Sequence, residues 1–179
     1  MEKRHASRRF FFSSSLPKCP IIVSIKHEYC ELIYKGFKSL ELRKTHPEND
    51  EFLAYIYDTS LKHITGLMDI SGIQEITEIN DTLCKNACVS PDFARQYKEK
   101  GKGKLYAWNI ESSSFYDEDW LTLKDVHVPR APQSWQYLPH DSAYMLSVHS
   151  IRHKNGKKTL PLMKIQPCLN NEENQPQRG

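Results

Sequence analysis

The sequence predicts a mixed α+β fold: a small curled β-barrel of roughly five to seven short strands with two or three flanking helices. Three observations carry this expectation. Compact β-branched and aromatic runs alternate with short segments whose apolar residues fall at helical spacing. The longest strand-like run contains Gly66 and Gly72, which bend or bulge a strand toward closure. The chain has 179 residues, 39% hydrophobic and 26% charged, enough for one good core in a single domain.

Ile21-Ile22-Val23-Ser24-Ile25 is a dense β-branched run and reads as a central strand. From Glu28 to Lys35, Tyr29, Leu32 and Ile33 fall at helical spacing, and Gly36 can take the left-handed conformation that closes a helix. A helix of about two turns serves as a lid or crossover on a small sheet. Gly36-Phe37-Lys38-Ser39-Leu40-Glu41-Leu42-Arg43 then runs into a strand, where a period of two sets Ser39, Glu41 and Arg43 on one face and Leu40 and Leu42 on the other, core-facing one. Phe52 to Tyr57 is another aromatic and aliphatic strand, turned by Asp58-Thr59-Ser60, and Ile64 to Ile73 is a longer one.

Asp81 to Cys88 is expected to be helical. The next helix is better marked, with Ser90 as N-cap, Pro91 at the first position, Asp92 in the first turn and Gly101 at the stop; Phe93, Ala94 and Tyr97 form its expected buried stripe. After a turn over Gly101 to Lys104, Leu105 to Ile110 alternates large and small side chains as a strand does. Pro129 and Pro132 break any regular element around Val128 to Gln133. Ala143 to Arg152 and Lys158 to Ile165 read as a hairpin turned at Asn155-Gly156.

These elements give a flexible basic arm over 1–19, one domain over 20–168 (a core to 138 and a C-terminal hairpin extension over 139–168) and a disordered polar tail over 169–179. A net charge of +3 and a pI near 8.5 permit an anionic partner without demanding one, and a dedicated duplex-DNA binder is usually more basic. No apolar run approaches the length of a membrane span. Five scattered cysteines do not make a secreted disulfide framework, so a reducing, cytoplasmic setting is expected; an Arg- and Ser-rich start leaves an organelle transit peptide open. Cys84 and Cys88 lack the Cys-x-x-Cys spacing of a zinc knuckle, and the eight histidines form no His-x-x-x-His pair, so neither a metal nor another cofactor is expected.

Ser24-Ile25-Lys26, a helix ending in Gly36-Phe37-Lys38, Glu41-Leu42-Arg43-Lys44, a strand ending in Tyr57-Asp58-Thr59, then Gly66 and a late Pro132-Gln133-Ser134 together resemble the ASCH domain, over roughly Pro20 to Leu138. ASCH belongs to the PUA-like superfamily, and the nearest pattern is a bacterial and phage group described as predicted transcriptional regulators. No helix-turn-helix or basic recognition helix is visible to match that description. The resemblance implies a PUA-like small barrel, capped structurally by Pro132-Gln133-Ser134-Trp135 as the family's closing segment, with a cleft between barrel and helices lined by the Gly-x-Lys-x-x-Glu-x-Arg segment, in a superfamily whose members bind RNA or modified bases. One bacterial ASCH branch hydrolyses the acetyl amide of acetylated cytidine with a Lys and a Thr of this segment and a Glu of a later strand. Lys38 matches that lysine, Glu41 stands where the branch has its threonine, and Glu75 and Glu78 lie near the region of the later Glu without a recognisable motif.

The chemistry of the segment allows the same two outcomes. A lysine desolvated at a cleft can act as a base or hold a ligand. Arg43 can donate two parallel hydrogen bonds to a phosphate or base edge, and Glu41 can accept from an exocyclic amine or pair with Arg43 in a buried ion pair that ties the strand to its neighbours. Lys26, Ser39, Tyr57 and Thr59 are further ligand-contact candidates, and Trp108 or Tyr106 a stacking surface; the plainer readings are a solvated Lys26, a half-buried Tyr57 and one core aromatic of the 106/108 pair. The sequence therefore supports a binding module for RNA or a modified nucleotide, or for a nucleoside, through Lys38, Glu41 and Arg43. The alternative is a small metal-independent hydrolase of acylated nucleosides or RNA, with Lys38 as base and Glu41 as acid or orienter. Nothing in the sequence sets an oligomeric state.

Overall fold

The computed structural model describes residues 20–117 and 120–155, with side chains described as far as residue 150. The expected basic arm, the polar tail and the second half of the expected C-terminal hairpin lie outside these residues. Ten elements follow in order: β1 (Ile21–Ile25), α1 (His27–Tyr34), β2 (Leu40–Arg43), β3 (Phe52–Asp58), β4 (His63–Glu75), α2 (Asp81–Ala87), α3 (Pro91–Lys100), β5 (Tyr106–Phe115), β6 (Trp135–Tyr137) and α4 (His140–Asn155). The α+β class is as the sequence predicts, with one helix more than expected.

The strands form one six-stranded sheet in the order β2-β5-β4-β3-β1-β6. Only β1 and β3 run parallel, as the crossover through α1 and β2 between them permits. β1 is buried on both faces: Ile21, Val23 and Ile25 pack with Ile56, Met68 and Trp108, while Ile22 packs with Tyr55, Leu67 and Leu146. A strand sandwiched in this way needs apolar residues on both faces, which is why it reads as a β-branched run interrupted only at the half-buried Ser24. A third cluster joins Leu42 of β2 to Leu83, Ala87 and Ala94 beneath α2 and α3.

The curl comes from irregular pairing along β4. Its register shifts opposite Ile56/Tyr57, beside Gly66, and again between Asp69 and Ile73, around Gly72. Gly66 has a second reason to be glycine. A Cβ there would collide with the Ser114 carbonyl oxygen and lie 3.0 Å from the Tyr34 hydroxyl, so the close approach of β5 and α1 depends on its absence.

Capping follows the sequence closely. The Ser90 hydroxyl accepts from the Phe93 amide at α3, Asn80 caps α2 by accepting from the Leu83 amide, and Gly36 takes φ 76° after α1. Two expectations are corrected. Residues 143–152, read as a hairpin strand, belong to helix α4, because Ala143, Leu146 and Ser150 recur at helical spacing and bury one face against Tyr116 and its neighbours. The Asn155-Gly156 signal for a hairpin is local and could not weigh that packing. Phe93, expected in a buried stripe, is 41% exposed and stacks on Tyr97 instead.

The expected cap over Pro132 to Trp135 is an edge pairing: the Ser24 amide and hydroxyl donate to the Ser134 and Pro132 carbonyls, and β6 then pairs with β1. No helix among the described residues is long and apolar enough to cross a membrane. Gly66→Ala is expected to lower the unfolding free energy by about 1–3 kcal/mol, the range of a core forced to overpack. Urea denaturation checks this value.

Candidate functional site

β2 is an edge strand, paired only with β5, so Glu41 and Arg43 sit on its inward face while Leu42 on the other face fills the α2–α3 cluster. The predicted two-faced strand is therefore present, and its two charges, together with Lys38 just before it, are carried into the interior. Lys38, Glu41 and Arg43 are 3%, 6% and 6% exposed. One Glu41 carboxylate oxygen lies 2.9 Å from Arg43 Nη2 and the other 3.3 Å from Lys38 Nζ.

Each cation has a further anchor. Lys38 Nζ donates to the Ala87 carbonyl at 2.6 Å, one of the carbonyls left open at the C-terminal end of α2, where a cation is favoured. It also lies 5.0 Å from the centre of the Tyr29 ring. Arg43 Nη2 donates to the Ser24 carbonyl at 2.7 Å, and Nη1 to the Ser134 hydroxyl at 3.2 Å and carbonyl at 3.4 Å. One side chain of β2 thus ties the first strand of the sheet order to β1 and to the entrance of β6 at the other end. Its guanidinium lies over Trp108, 5.9 Å from the ring centre, and its Nε is buried without a partner.

Above these groups opens a cleft of about 180 Å³. Lys26 and Tyr29 line it from the start of α1; Val89, Phe93 and Tyr97 line it from α3 and the residues before it, and the charged trio with Ser24 from the sheet side. Among the lining residues three side chains are cationic and one is anionic, and the buried trio by itself carries one positive charge in excess. Burial raises the Tyr29 phenol pKa, reinforced by Glu28 and Glu41, and burial raises that of Tyr97 despite Arg43, so both are neutral hydrogen-bond donors near pH 7. Lys26 is exposed at the rim, 3.8 Å from the Glu28 carboxylate.

The other candidates are dispersed. Ser39 is held by its backbone, its amide donating to the Asn86 carbonyl and its carbonyl accepting from Ile110, and it does not line the cleft. Tyr57 is buried in the cluster on the other face of the sheet, and Thr59 is an exposed turn residue. Trp108 is fully buried, edge-on to Phe52 and Trp135, so it supports Arg43 from below and offers no face to a ligand. Glu75 and Glu78 are exposed and away from the cleft. The aromatic rings that do line it, Tyr29, Phe93 and Tyr97, fall on helix stripes in the sequence, and the local signal for their grouping is that Phe93 and Tyr97 are four residues apart, on one side of α3.

The family model of the ASCH domain matches residues 23–126. Among solved structures, ASCH from Zymomonas mobilis superimposes with a TM-score of 0.62 at 22% identity, covering 72% of this chain and 94% of that one. A tyrosine-to-phenylalanine mutant of that protein gives 0.59 at 22% identity over 73% and 98% of the two chains. Among curated proteins, none matches this chain's sequence.

Removing the one anion of the trio should be far more damaging than removing a cation. Glu41→Ala leaves two buried positive charges facing each other and is expected to cost about 3–5 kcal/mol. Lys38→Met leaves the Glu41–Arg43 pair intact and should cost less than half as much. Urea unfolding of the two variants side by side checks the order.

Proposed function

The chain belongs to the ASCH-domain family, and on that premise we propose that its cleft binds RNA or a modified nucleotide over a floor of Lys38, Glu41 and Arg43. The observation that carries this reading is the unbalanced charge. A buried site holding two cations around one carboxylate is stabilised by an incoming anion, and a phosphate or an anionic base edge supplies one. The buried, unpartnered Arg43 Nε is an additional donor for such a group.

The walls suit the rest of a nucleotide. Tyr29 and the Phe93–Tyr97 stack contribute aromatic surface to the lining, which favours a stacked base with little regard to its identity. Glu41 accepts from an exocyclic amine where the base carries one. Lys26 at the rim, and Lys44 over the Tyr97 ring at 5.2 Å, extend the positive field along the path of a strand. This reading agrees with the link between ASCH domains and RNA binding.

Binding is favoured over hydrolysis because the described cleft offers no activated hydroxyl. The Ser24 hydroxyl donates to the Pro132 carbonyl at 2.6 Å, the two phenols are held neutral by burial, and Glu41 is engaged by a cation on each side. Fluorescence anisotropy with short single-stranded RNAs tests the reading. The wild type should bind with an affinity that falls as salt rises, without product formation, and Lys38→Met should weaken binding at least about tenfold, or 1.4 kcal/mol, while remaining folded. Unchanged binding by Lys38→Met overturns it.

A further inference from the structure

Helix α1 separates the Lys38 cleft from a second one on its opposite flank. This second cavity, of about 120 Å³, is lined by residues that include His27 and Tyr34 of α1, Asp58, Thr65, Phe115 and Trp120, with the Glu31–Lys35 ion pair also on its lining. It shares no lining residue with the first.

Its polar groups are fixed in place. Asp58 is 1% exposed and accepts through Oδ1 from the Ser60 and Leu61 amides at 2.9 and 3.0 Å. Its other oxygen is 2.6 Å from His27 Nδ1, which must therefore be the donor and which locks the imidazole ring in one orientation. The Tyr34 and Thr65 hydroxyls are 2.9 Å apart; since one hydrogen serves that bond, the pair keeps one hydrogen to donate elsewhere. Trp120 Nε1 is buried with no partner, although a buried indole N–H ordinarily finds one. The remaining surface is aromatic. Tyr34 and Phe115 lie 4.9 Å apart, tilted, and Phe115 meets Trp120 edge-on at 6.2 Å.

A cavity that is apolar and aromatic over most of its surface, with one orphaned indole donor, one spare hydroxyl and an oriented imidazole, fits a flat ring with acceptors on its edge. We propose that this second cleft binds a single nucleobase-sized heteroaromatic ring, stacked against the Phe115–Trp120 wall with its acceptor edge toward Trp120 Nε1 and the Tyr34–Thr65 hydroxyls. No anion is called for here, because His27 already faces the Asp58 and Glu31 carboxylates. A helix is about 10 Å across with its side chains, so one strand can cross α1 and enter both clefts. That arrangement rests on the reading of the first cleft as a nucleotide site; occupation by a free nucleoside does not.

Intrinsic tryptophan fluorescence of the full chain, titrated with the four common ribonucleosides and with short trinucleotides, tests the proposal in the wild type and in Trp120→Phe, Thr65→Val and Lys38→Met. At least one nucleoside should bind the wild type and Lys38→Met alike and bind Trp120→Phe or Thr65→Val at least tenfold more weakly, circular dichroism confirming that the variants fold. A trinucleotide that binds more tightly than its nucleoside, and is weakened by variants in either cleft, assigns the second cleft to a strand; one that binds no tighter assigns it to free nucleosides. Trinucleotide binding untouched by Lys38→Met but weakened by Trp120→Phe overturns the first-cleft reading and supports this one. Absence of nucleoside binding, or binding indifferent to both Trp120→Phe and Thr65→Val, overturns the proposal.

Discussion

The guanidinium of Arg43 is the constraint around which the rest of the structure is arranged. A six-stranded sheet that curls without closing leaves two ends facing one another, β2 at one and β1–β6 at the other. Backbone pairing does not join them. Arg43 does so with a planar fork, reaching Ser24 on β1 and Ser134 before β6 while Glu41 holds the inner side of the fork. Lysine could not replace it, since a single ammonium cannot span both partners at once.

That choice of closure has an electrostatic consequence. Glu41 is needed to offset the charge of Arg43 in a buried setting, yet Lys38 arrives from the turn after α1 and shares the same carboxylate. An ion pair of this kind, taken alone, is weak evidence for stability, because desolvation opposes the attraction. A trio with a net positive charge is a still poorer stabilising device. Under the proposed function it is a site kept ready for a negative group, its desolvation offset in part by the Ala87 carbonyl and the Tyr29 ring. The same element therefore closes the sheet and charges the cleft.

How much of this was legible in the sequence depended on the range of the interaction. Caps and turns are local, so Ser90-Pro91, Gly36 and the bulging glycine at 66 could be placed from neighbours alone. The alternation of Glu41 and Arg43 against Leu40 and Leu42 is also local, and the family resemblance pointed to the same segment. What a local pattern cannot show is which face meets what. Trp108 shares a strand with Asn109, and only the sheet's curl puts the tryptophan beneath Arg43 while Asn109 bonds to Ser71 at the surface. Phe93 looked like core because α3 has an apolar stripe; the cleft on that side leaves it uncovered. Helix α4 is hidden in the sequence because a strong two-residue turn signal outweighs a weak amphipathic stripe whose partners, Tyr116 among them, lie far away in sequence.

The central claim, that the excess buried charge at the cleft floor is where an anionic nucleotide docks, is tested most directly by nitrogen-15 NMR of the arginine side chains. Arg43 Nε–H is buried and unpartnered, so its resonance reports on the floor rather than on the surface. Titration with a nucleoside monophosphate should shift the Arg43 Nε signal in parallel with the Tyr29 and Tyr97 ring resonances, saturating at one equivalent. A titration in which those signals stay fixed while only exposed lysines and arginines respond would contradict the account.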